Sequence, residues 1–79
     1  MSYGYSQRIV EANKSASKTL LGVALGRMCI KLDVPVAEVA ATIGVSRETV
    51  YNWFTGETYP HSALHVAICD YMTYLSERE

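Results

Sequence analysis

Apolar and polar positions alternate with a helical beat over most of the chain. Leu21, Ala24, Leu25, Met28 and Leu32 recur at offsets of three and four, which predicts an amphipathic helix with that stripe against the core. Pro35 stops it, because a proline disfavours helical backbone at the residue before it, here Val34. Val36, Val39, Ala40 and Ile43 then mark one face of a second, short helix. Gly44 can take the left-handed conformation of a helix C-cap and let Val45 turn into the core. Ser46 is suited to cap a third helix, over residues 46–55, by accepting a hydrogen bond from a free backbone N–H in the next turn. Val50, Trp53 and Phe54 form its apolar side, Arg47, Glu48, Tyr51, Asn52 and Thr55 lie on or near the other, and Gly56 ends it.

A loop over residues 57–61, punctuated by Pro60, leads to Ser62, placed to cap a last helix. Leu64, Ala67, Ile68, Tyr71, Met72 and Leu75 give that helix its stripe. The N-terminus reads differently. Gly4 interrupts a short tyrosine-bearing stretch, and Asn13, Ser15 and Ser17 make the segment up to Lys18 a weak helix on its own. The pattern divides the chain into a basic arm, residues 1–18, free to be flexible, and a helical domain, residues 19–79.

Composition narrows the class. With 79 residues, 49% of them hydrophobic and 19% charged, the chain is one small folding unit with little room for a walled active-site cleft. The expected architecture is all-α, a compact bundle of four to five helices. No nucleophile, base and orienter fall at a productive spacing and no glycine-rich phosphate loop is present, so the sequence does not read as an enzyme. Arg27, Lys31 and Asp33 interrupt the longest apolar stretch, so neither a membrane span nor a signal peptide is read, and a cytoplasmic location is expected. Cys29 and Cys69 are expected as reduced, buried thiols. His61, His65 and Cys69 follow one another at spacings of four, but a fourth ligand is wanting, and no metal or cofactor is expected.

Charge is segregated. Over residues 1–31, Arg8, Lys14, Lys18, Arg27 and Lys31 oppose Glu11 alone, a balance of +4. Over residues 32–79, two arginines oppose seven acids, a balance of −5, so a net −1 conceals a basic first third. Such an asymmetry suits phosphate contact through Arg8, Lys14, Lys18 and Arg27, or a solvated helix face.

The stretch Val36-Ala-Glu-Val-Ala-Ala-Thr-Ile-Gly-Val-Ser-Arg-Glu-Thr-Val-Tyr-Asn-Trp-Phe-Thr-Gly resembles the helix-turn-helix of the Cro and phage-repressor family, the XRE type. The resemblance covers residues 21–72 and implies a lambda-repressor-like bundle. It makes Ala40 the small residue at a close helix crossing, Gly44 the turn residue and Val50 the pin of the recognition helix. Two positions depart from the pattern. Pro35 and Val36 stand where the family has a capping Ser or Thr and a backbone-contacting Gln, and Cys29 and Phe54 replace a frequent Arg–Glu pair.

The resemblance implies a sequence-specific DNA-binding transcriptional regulator of bacterial or phage origin, with residues 46–55 in the major groove of double-stranded DNA. Arg47 suits guanine, Asn52 adenine and Glu48 cytosine, while Tyr51 and Thr55 suit sugar-phosphate or a thymine methyl. It also implies a homodimer on paired half-sites, for which Tyr71, Tyr74 and Leu75 are candidate contacts. The alternative is an adaptor that keeps the scaffold and binds a protein partner such as a polymerase or a phage packaging complex.

Overall fold

The computed structural model describes residues 5–78, which form five α-helices and no strand. These are α1 (Gln7–Ser15), α2 (Leu21–Leu32), α3 (Val36–Ile43), α4 (Arg47–Thr55) and α5 (His65–Glu77), with a single 3-10 turn at Ser62–Leu64. The all-α bundle expected from the hydrophobic pattern is therefore present.

Helix α4 lies at the centre, with α1, α2 and α3 all packed against it. Its Val50, Trp53 and Phe54 are buried, as their spacing predicts. The face of α2 that receives them differs from the expected stripe. Gly22, Val23, Leu25, Gly26 and Cys29 are buried, whereas Leu21, Ala24, Met28 and Leu32 are only half-buried. The reason is steric. A Cβ at Gly22 would stand 2.7 Å from the Cβ of Trp53, and one at Gly26 would stand 2.8 Å from Cγ of Phe54. Two large aromatic residues approach α2 only along its side-chain-free face, so bulk on α4 selects glycine on α2.

The two turns flanking α3 are built from local backbone bonds. Asp33 ends α2 in the left-handed region at φ 57°, and the N–H of Val34 reaches back to the carbonyl of Cys29 at 2.9 Å. Gly44 ends α3 at φ 88°, its N–H and that of Val45 both donating to the carbonyl of Ala40. Ser46 then caps α4, its Oγ accepting from the N–H of Thr49 at 3.2 Å.

At the last helix the cap shifts by one residue. Nδ1 of His61 accepts from the N–H of Ala63, so His61 and not Ser62 opens the 3-10 turn that leads into α5. Ile68, Tyr71 and Leu75 are buried, but Ala67 and Cys69 are exposed, which corrects the expectation of a core thiol at Cys69. Burial of Tyr71 and Leu75 also removes them as dimer contacts and leaves Tyr74, at 55% exposure. Tyr71 donates to Oε2 of Glu38 at 3.0 Å, and Arg78 meets the same oxygen at 2.9 Å, tying α5 to α3.

The segment read as an arm is, where described, part of the bundle. Residues 1–4, its tip, lie outside the described residues. Ser6 caps α1 through the N–H of Ile9. Tyr5 is buried against Phe54, with ring centroids 6.2 Å apart, and donates to the carbonyl of Val34. Asn13 is 2% exposed. Its Nδ2 donates to the carbonyls of Phe54 at 2.7 Å and Val23 at 3.2 Å, so one side chain binds α1 to both α4 and α2. A polar asparagine in a weak helix is thus a core residue, satisfied by two carbonyls.

Candidate nucleic-acid interface

The α3–α4 turn sets the attitude of α4. With Gly44 left-handed and Ser46 extended, the chain reverses within three residues, and α4 starts with its first turn unobstructed. Arg47 and Glu48 on that turn are exposed. Because Val50, Trp53 and Phe54 face α2 and the core, the rotation of about 100° per residue directs Glu48, Asn52 and Thr55 outwards, with Arg47 and Tyr51 flanking them. The five residues singled out on residues 46–55 are therefore brought together on one helix.

They are not equally open. Tyr51, Asn52 and Thr55 are half-buried, since α1 lies alongside and forms a groove with them. Arg8, Ile9 and Ala12 make the α1 wall of that groove, and Glu57 closes one end. Oγ1 of Thr55 donates to the carbonyl of Tyr51 at 3.1 Å, which holds it against its own helix. Arg8, read from the sequence as a phosphate contact together with Lys14 and Lys18, is the one of those three that borders this groove, a placement that nothing in a weakly helical segment signals. Arg8 and Ala12, one turn apart on α1, share this wall, while Asn13, about 100° further round the helix from Ala12, anchors α1 to the core.

The other three predicted contacts sit elsewhere. Arg27 turns its guanidinium to the C-terminus of α1, where Nη2 donates to the carbonyls of Lys14 at 3.0 Å, Ala16 at 3.3 Å and Asn13 at 3.4 Å. A cation at a helix C-terminus is electrostatically favourable, so Arg27 has a structural role. Its Nε is enclosed with no hydrogen-bond partner among the described residues. Lys14 is exposed and lines a groove between α1 and α2 with Arg27; Lys18 is exposed beside α2 and α5. Neither borders the groove beside α4.

Titratable chemistry is sparse. Burial, reinforced by the nearby Glu38 carboxylate, pushes the Cys29 thiol from 9.0 up to about 12, so it stays protonated. Burial likewise raises the hydroxyls of Tyr5 and Tyr71. The His65 ring pairs with the carbonyl of Pro60 at 3.2 Å, and His61 is engaged by Ala63. No group of three or more His, Cys, Asp or Glu that could hold a metal occurs among the described residues. No helix among them is long and apolar enough to cross a membrane. Comparison with protein-family models, with curated proteins and with solved structures finds no match to this chain in any of the three.

Proposed function

We infer that the protein is a sequence-specific DNA-binding regulator of the Cro and phage-repressor type, reading the major groove with α4. The observation that carries this reading is the tight α3–α4 turn, with Gly44 at φ 88° and Ser46 as cap, which leaves Arg47 and Glu48 exposed on the first turn of α4. A helix entering the major groove makes its base contacts with that N-terminal, outward surface. Arg47 is the bidentate donor, Glu48 an acceptor for cytosine, and Asn52 the deeper amide. On an inverted repeat the protein binds as a homodimer, for which α5 offers the exposed Val66 and Tyr74.

The test is selection of a preferred duplex from a random pool at low salt, followed by mobility shifts with variants. Arg47→Ala is expected to weaken the selected duplex by about 1–3 kcal/mol and to relax preference at one base position. Enrichment of no sequence, or equal binding by Arg47→Ala, overturns the reading. Half-burial of Tyr51, Asn52 and Thr55 beside α1 favours a second reading, an adaptor that keeps the scaffold and binds protein. That reading is left standing if no duplex is enriched.

A further inference from the structure

The apolar stripe that the core leaves unused lies open on the far side of α2. Ala24, Met28 and Leu32 floor a groove of about 390 Å³, with Met72 of α5 opposite them and Lys18, Arg27 and Lys31 at its edges. An adjoining groove shares Arg27 and Lys31 and adds Lys14 over Val10 and Ile30. Four of the chain's seven lysines and arginines thus border two neighbouring apolar grooves, and among the described residues no acid lines either. In a protein of net charge −1 that concentration gives one face a sign of its own.

This face stands back to back with the outward side of α4. Gly22 and Gly26 direct their side of α2 at Trp53 and Phe54, and at 3.6 residues per turn Ala24 and Lys31 lie on the opposite side of the same helix. Two helix diameters of about 10 Å each therefore separate the faces, in a molecule 30 × 27 × 22 Å. An occupant here leaves α4 free.

Chemistry distinguishes the occupants. Nucleic-acid phosphates would engage the cations and leave Met28, Leu32 and Met72 uncovered. An acidic amphipathic helix uses both parts, with carboxylates on the edges and apolar side chains on the floor, and methionines adapt to such guests. From Ala24 to Leu32 the groove runs about 12 Å along α2, the length of two helical turns with three apolar anchors. We propose that this face docks an acidic amphipathic helix of a partner protein, its apolar anchors between Met28 and Met72 and its carboxylates on Lys18 and on Lys14 of the adjoining groove. The proposal holds whether or not α4 reads DNA.

The probe is a synthetic peptide of about 15 residues carrying three leucines at helical spacing in a Glu- and Ala-rich background. It is titrated into the full chain labelled at methionine methyls. The Met28 and Met72 resonances are expected to shift. The double variant Lys14→Glu/Lys18→Glu, both at exposed positions, is expected to weaken binding about tenfold. Met72→Gln, which leaves every charge in place, weakens it as well. Equal binding of a permuted peptide of the same composition reduces the face to general electrostatics and overturns the proposal. So does absence of peptide binding, or a random duplex that loses more affinity than the peptide in the charge-reversed protein. Self-association of the protein abolished by the same variant assigns the face to a second copy and also overturns it.

Discussion

Two glycines with opposite constraints illustrate what a single residue contributes. Gly26 has an unremarkable backbone but no space, since a Cβ would meet Asn13 and Phe54 at 2.7 and 2.8 Å. Gly44 has open space, with nothing within 4 Å, but a φ of 88°. Gly26→Ala is expected to cost about 1–3 kcal/mol by overpacking the α2–α4 crossing, and Gly44→Ala about 1 kcal/mol by backbone strain alone. Urea unfolding measures both, and Gly26→Ala should be the larger. Cys29 sets an alkaline limit by a different route. Its folded pKa lies above the unfolded value, so its neutral form stabilises the fold fully below about pH 9, and that contribution is lost as pH rises towards about 12. Unfolding free energy should be level below pH 9 and fall above it, and Cys29→Ala should make the fall shallower.

Among the elements, α1 shows most plainly where sequence patterns stop. Helices α2 to α5 were legible because each has a strong apolar period, a capping residue or a stop: Pro35, Gly44, Ser46 and Gly56 mark boundaries within a residue of those observed. The exposed residues of α4 were legible for the same reason. The α2 face was misread because glycines carry no hydrophobic signal, although packing against Trp53 requires them. Helix α1 was illegible because its anchor is an amide 41 residues from one partner, a contact no local period can report. Asn13→Ala removes both bonds and leaves two enclosed carbonyls, an expected loss of about 1–3 kcal/mol. Its thermal melt should fall well below that of a variant at exposed Lys14, and equal melts would show that α1 is held by apolar contacts alone. Deleting residues 1–18 strips Tyr5 and Asn13 from the core along with the charges, so it does not isolate the role of the cations.

On the scale of the molecule, the basic first third divides between two sides. Arg8 borders the groove beside α4, whereas Lys14 and Lys18 border grooves on the far side of α2. If α4 binds a duplex, Arg8→Gln is expected to flatten the slope of log affinity against log salt by about 0.9, the release of one counterion's worth of contact. Lys14→Gln and Lys18→Gln should leave the slope unchanged. Filter binding across a salt series checks this, and a lower slope for the lysine variants would put those residues on the duplex.

The placement of Trp53 against the glycine side of α2 gives the protein an optical reporter of its own. It is the sole tryptophan of the chain and only 3% exposed, with its Cβ and backbone close against Gly22 of α2. Native emission should be blue-shifted and resistant to aqueous quenchers. A ligand that merely covers the outer side of α4 leaves the spectrum nearly still, whereas one that pries α2 from α4 reddens it, so the same lamp distinguishes docking from remodelling without any label.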